Sequence, residues 1–150
     1  LFDLDKHVHV LDGETLRLGL CRDLGFNAAD RTENVRRAAE LARLGVGTGI
    51  VTIVALVSPK REERDMARRI VGSEHFVEVF CDAPLATCEA RDQDGLYALA
   101  RAGEIANVTG TDAPYEAPTA ADVTLDTVHS TVAANVAKIL DHLRRRQLLT

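Results

Sequence analysis

Ile50-Val51-Thr52-Ile53-Val54-Ala55-Leu56-Val57 is an almost unbroken apolar run, and Ser58-Pro59 ends it. Its length and its β-branched residues predict a strand covered on both faces, as in a parallel sheet. The pattern recurs in shorter form on either side. Residues 7–11 read as a strand that leaves through the turn Asp12-Gly13-Glu14. Alternation puts Val8 and Val10 on one face, and His7, His9 and Leu11 on the other. Residues 76–81 form a third strand, closed by Asp82-Ala83-Pro84, and residues 122–126 a short last one. Helical spacing fills the gaps, over residues 14–20, 30–44, 60–71, 85–90, 96–102 and 130–149. In the second of these, Asp30 is read as the N-cap, with Glu33 completing a capping box. Gly45, Gly47 and Gly49 are read as its stop. Met66 and Ile70 should face inward, as should the stripe Val132, Val136, Ile139 and Leu143. Residues 1–6 read as the last turn of a helix. Strands alternating with helices give an α/β domain on a mostly parallel sheet.

The composition bounds the possibilities. A chain of 150 residues suits one domain with its own core. Only 4% of it is aromatic and there is no Trp, so Val, Leu, Ile and Ala must build that core. A net charge of −5 disfavours a general nucleic-acid binder, which wants a broad basic surface. The three cysteines are odd in number and fit no zinc spacing, which favours reduced thiols and a cytoplasmic protein. No apolar run reaches membrane-spanning length. The histidines form no metal set.

The block Asp30-Arg31-Thr32-Glu33-Asn34-Val35-Arg36-Arg37 packs three guanidiniums, two carboxylates and an amide into a helix start. Arg31, Asn34 and Arg37 share a face there, beside backbone N–H groups that favour anions. Arginines at this end oppose the helix dipole, so they need an anion or an acidic neighbour. An anionic ligand is the favoured reading. Arg36 is expected to be solvated. Asp12 and Glu14 stand at the C-terminal end of a strand, where open α/β sheets bind ligands. They could orient magnesium through water or accept a proton, or be satisfied locally as turn residues. Arg17, three residues after Glu14, could pair with it or reach a substrate anion. Residues 91–118 are long, polar and Gly-containing, as in a mobile lid. No G-x-x-x-x-G-K-[ST] phosphate loop occurs in the 150 residues.

Taken in order, several stretches resemble the adenylylsulfate kinase family. They are Leu11-Asp12-Gly13-Glu14-Thr15-Leu16-Arg17, Asp23-Leu24-Gly25-Phe26, the block from Asp30 to Arg37, Ser58-Pro59, Gly95-Leu96-Tyr97, and Thr109-Gly110-Thr111-Asp112-Ala113-Pro114-Tyr115-Glu116. The resemblance implies a three-layer P-loop kinase fold. It also implies ATP- and Mg2+-dependent phosphorylation of the 3′-hydroxyl of adenosine 5′-phosphosulfate, giving 3′-phosphoadenosine 5′-phosphosulfate. By the same resemblance Glu14, with Asp12, stands by the acceptor hydroxyl and magnesium. Arg17, Phe26, Arg31, Asn34, Val57, Ser58 and Val108 match substrate-binding positions, with Phe26 against the adenine. Arg91 and Arg101 fall toward ATP and its lid.

The family is usually dimeric, and some members are fused to an ATP sulfurylase subunit. Its first strand and phosphate loop are expected about one helix before residue 1. Three departures stand out. Glu14 replaces the usual Asp, Val108 the usual Phe, and Ala98 and Leu99 the usual lysines. The alternatives are a non-catalytic sulfonucleotide-binding module or a P-loop kinase for another small acceptor.

Overall fold

The computed structural model describes residues 1–149, the side chain of Phe2 excepted; Thr150, the last residue of the expected domain, lies outside them. These residues fall into two compact units, one spanning Leu1–Phe76 and one beginning at Val77.

The first unit opens with a single 3-10 turn, Phe2–Leu4, and then alternates strands and helices. Its elements are β1 (Val8–Asp12), α1 (Gly13–Leu18), α2 (Ala28–Gly47), β2 (Val51–Ala55) and α3 (Arg61–Val71). Strands β1 and β2 pair in parallel, with Val8 opposite Val51 and Asp12 opposite Ala55. A parallel pair needs a crossover, and α1 and α2 supply it. Leu11, Leu16, Cys21 and Ala38 form one buried cluster, flanked by Leu24, Leu41 and Leu56. Val35, Ala39 and Ala67 form a second, with Met66, Ile70 and Phe76 packed against it. The inward placement of Met66 and Ile70 agrees with the sequence. Small alanines on α2 let β1 and α3 approach closely.

Several expectations are corrected here. The run 50–57 is a five-residue strand and is not covered on both faces. Ile53 and its register partner Val10 are 44% and 57% exposed. Helix α2 packs on the face that carries Leu11, where Val54 is still partly open, and the face of Val10 and Ile53 is more open. The N-cap of α2 is Asn27, not Asp30: its side chain accepts from the Asp30 N–H. The helix also runs through Gly45 and ends at Gly47, with Thr48 as its C-cap. Helical glycines cost only about 1 kcal/mol each, and packing on α3 offsets that.

The second unit contains β3 (Val79–Asp82), α4 (Leu85–Ala90), α5 (Leu96–Arg101), β4 (Val123–Asp126) and α6 (Val132–Arg145). Strands β3 and β4 are again parallel, from Val79 opposite Val123 to Asp82 opposite Asp126. Val108, Val123 and Leu125 are buried. The α6 stripe is not inward at its start, because Val132 and Val136 are exposed. That helix is tethered by polar contacts instead. Asn135 Nδ2 donates to the Asp126 carbonyl at 2.9 Å, and Lys138 reaches the Thr124 carbonyl. Both sheets are parallel and α/β, as expected. No helix of the described residues is long and apolar enough to cross a membrane.

Gly45 is fixed by β2. A Cβ built on it would intrude on the Thr52 hydroxyl, which is buried and has no hydrogen-bond partner. Gly45→Ala should therefore destabilise the protein by about 1–3 kcal/mol in urea unfolding, as overpacking does. Adding Thr52→Ala should recover most of the loss.

Candidate functional site

In the first unit, the loop 19–27 and the start of α2 bring an aromatic ring and two guanidiniums together. Asn27 and Asp30 cap each other, since Asn27 Nδ2 also donates to Asp30 Oδ2 at 2.8 Å. The same Asp30 oxygen accepts from the Gly25 N–H at 2.8 Å. A Cβ on Gly25 would come within 2.9 Å of that oxygen, so this close approach requires glycine. Phe26 is thereby held out, 56% exposed. Two cations stand over its ring. The Arg17 guanidinium lies 4.2 Å from the ring centroid and that of Arg31 lies 5.7 Å away. Each also grips the loop: Arg17 Nη1 donates to the Gly25 carbonyl at 2.8 Å, and Arg31 Nε to the Phe26 carbonyl at 2.9 Å. Such contacts are worth about 0.5–1 kcal/mol each at exposed rings. Arg17 therefore neither pairs with Glu14 nor hangs in solvent.

One turn along α2, Asn34 is only 5% exposed and its Oδ1 has no hydrogen-bond partner. A buried amide oxygen left without a donor costs about 1–3 kcal/mol, a cost a ligand donor would remove.

Arg37 does not share in this surface, which corrects the expected anion at that residue. It donates bidentately to Asp23, at 2.6 and 2.8 Å, and its Nε reaches Glu33 at 2.9 Å. Its Nη1 also holds the Leu20 carbonyl at 2.8 Å. Acidic neighbours, not an anion, answer the unfavourable helix end. Arg36 is likewise paired, bidentately with Glu33. The Arg37 hydrogen bonds bring the Asp23 carboxyl from 3.8 down to about 2. Those from Arg36 and then Arg37 bring Glu33 from 4.5 down to about 2.

At the end of β1 the two carboxylates separate in role. Asp12 caps α1, accepting from the Thr15 N–H at 3.1 Å and the Thr15 hydroxyl at 3.3 Å. That is the locally satisfied turn reading. Glu14 is exposed and makes no hydrogen bond or ion pair within the described residues. Among those residues no cluster of three or more His, Cys, Asp or Glu could hold a metal. A single free carboxylate still fits magnesium, which keeps much of its water and takes substrate phosphates as ligands.

After β2, Val57 is 59% exposed. Ser58 has φ 39°, a left-handed conformation unusual for serine. Arg64 Nη1 holds its carbonyl at 2.7 Å. Strain of this kind costs on the order of 1–3 kcal/mol and gathers at functional turns.

In the second unit, Arg91 donates to the Thr127 carbonyl at 2.9 Å, and Arg101 pairs with Glu89. Asp112 organises the turn that follows. It accepts from the Asn107 and Val108 N–H groups at 2.6 and 2.7 Å, and those bonds hold its carboxyl below the usual range. Val108 is buried. Ala100, Arg101, Gly110, Thr111 and Asp112 line an open depression of about 370 Å³.

A family profile for adenylylsulphate kinase matches residues 1–126. The chain belongs to the adenylylsulfate kinase family. It is 50% identical to an adenylyl-sulfate kinase of Shewanella pealeana over 149 residues, covering 99% of this chain and 73% of that one. Identity to the Pseudomonas aeruginosa enzyme is 47% over 147 residues, or 98% and 75% of the two chains. Among solved structures, the Mycobacterium tuberculosis APS kinase in complex with AMPPNP and APS superposes with a TM-score of 0.91 at 43% identity. That match covers 96% of this chain and 84% of that one. The α/β class and the family expected from the sequence thus hold for this adenylylsulfate kinase relative.

Sequence spacing assigns no role to Asp23, Asn27 or Asp112, although Asn27 fits an Asx cap three residues before Asp30. The acid that binds Arg37 lies fourteen positions away and had no local signal. The depressed Asp23 and Glu33 carboxylates stabilise the fold in full above about pH 5, and that support fades as the pH falls toward 2. Melting followed by circular dichroism should drop across this window. Asp23→Asn should melt lower at pH 7 and vary less with acid.

Proposed function

We propose that this adenylylsulfate kinase family member phosphorylates the 3′-hydroxyl of adenosine 5′-phosphosulfate with ATP, forming 3′-phosphoadenosine 5′-phosphosulfate. The observation that carries the reading is the Arg17–Phe26–Arg31 stack beside the unpartnered Asn34 Oδ1. An aromatic face rimmed by two guanidiniums suits a purine that carries an anionic tail. The Mycobacterium tuberculosis relative was solved with AMPPNP and APS, a nucleotide of each kind.

In this scheme Phe26 lies against adenine. Arg17 and Arg31 lie toward the phosphosulfate, a group that guanidinium forks suit. Asn34 Oδ1 accepts a substrate donor, and Val57 and Ser58 border the sugar or base. Glu14 accepts the hydroxyl proton and would hold magnesium, through water, with Asp12 fixing the turn. The metal's contribution is to offset charge on the transferring phosphoryl group. Glu14 is one methylene longer than Asp, so it reaches farther from the turn. Residues 91–118 act as the lid. Arg91 and Arg101 are assigned to ATP binding, and Val108 to substrate binding. The lid's work is to keep water from the transferring group. We also place the enzyme in the cytoplasm as a homodimer, a setting compatible with its three free cysteines.

The test is ADP formation by the full-length protein with ATP and magnesium, with and without adenosine 5′-phosphosulfate. Production should depend on that acceptor; its indifference to the acceptor would overturn the reading. Glu14→Gln should lower kcat by about 10²–10⁴ with little change in either KM, as loss of a proton acceptor does. Phe26→Ala should raise KM for the sulfonucleotide by about tenfold and leave that for ATP alone, in line with stacking worth 1–3 kcal/mol per base.

A further inference from the structure

Glu63 is a fully buried carboxylate at 0% exposure, yet no step above uses it. It sits in the first turn of α3. Its Oε1 accepts from the Thr32 hydroxyl at 2.9 Å, and its Oε2 receives a long bond from the Lys60 N–H at 3.4 Å. Burying a carboxylate is costly unless hydrogen bonds satisfy it, and the capping box with Lys60 accounts for one of its oxygens, leaving the bond to Thr32 to be explained. Its two partners explain the choice. Thr32 lies between Arg31 and Asn34 on α2. Lys60 follows the strained Ser58 turn, whose carbonyl is held by Arg64, the residue after Glu63. One side chain thus spans both edges of the substrate surface.

Given the substrate site proposed above, we infer that Glu63 is a positioning residue that sets the distance between the Arg31–Asn34 turn of α2 and the Val57–Ser58 turn. It touches neither substrate nor ATP. The chemistry of the bridge requires hydrogen bonding, not charge. The Thr32 hydroxyl lies 3.0 Å from the Ala28 carbonyl as well, so its proton has two acceptors. A glutamine at 63 could donate its amide to the Thr32 oxygen while that hydroxyl donates to Ala28. Its carbonyl would then keep Lys60.

The test measures KM for adenosine 5′-phosphosulfate and for ATP separately, with kcat, in full-length Glu63→Gln, Glu63→Ala, Thr32→Val and the double variant. Thr32→Val and Glu63→Ala should raise the sulfonucleotide KM about tenfold, because a turn shifted by about 1 Å loses its aim. The ATP KM should stay within about twofold. Glu63→Gln should stay near wild type, and the double variant should be no worse than the poorer single one, as expected of one shared contact. An unchanged sulfonucleotide KM in Thr32→Val overturns the role, and that variant decides the matter even if Glu63→Ala fails to fold. So does an equal rise in both KM values, the mark of general loosening. A wild type that ignores the sulfonucleotide would instead sink the substrate site itself, which is a separate result.

Discussion

The Arg37 guanidinium is the fixed point of the first unit. It closes onto Asp23, Glu33 and the Leu20 carbonyl at once, and so ties the loop 19–27 to the second turn of α2. Bidentate arginine–carboxylate geometry is what makes such a tie directional. The Phe26 platform hangs from that loop. Phe26 stands out because Gly25 is pinned to Asp30, and Arg17 and Arg31 lie over the ring because its carbonyl neighbours are their acceptors. The charges around the helix start therefore divide into two sets. Asp23, Glu33, Arg36 and Arg37 neutralise one another and hold shape. Arg17 and Arg31 instead stack on Phe26 and hold the carbonyls of Gly25 and Phe26.

Much of this was legible in the sequence. Alternation of apolar runs with helical spacing gave the α/β order, and the turn after each strand fell where Asp12 and Ser58 had put it. The motifs carried the family and the residues of the stack. Long-range partner choice was not legible. Arg31, Asn34 and Arg37 have equal claims to an anion by spacing alone, and only the fold reveals that Asp23 already occupies Arg37. Nor does a pattern of apolar residues say how many faces of a strand are covered. Ile53 reads as core and is open, as is Val10 opposite it. Asp30 lies within reach of two roles, cap and loop anchor, and Asn27 takes the first.

Glu63 illustrates a different blind spot. In sequence it is one acid in a charged run after Ser58-Pro59, and such runs are ordinarily solvated. Helical phase rotates it toward α2, where Ala67, one turn on, is also buried. The run is thus two-sided: its outer residues meet water and its inner one meets Thr32.

The stacked arrangement of Arg17, Phe26 and Arg31 has a bearing on the thermodynamics of capture. Arg17 and Arg31 are already engaged in the folded chain, each by a backbone acceptor and by the Phe26 ring. Freezing a flexible side chain on complex formation costs roughly 0.5–1.5 kcal/mol. Contacts made during folding leave less of that ordering to be made on association.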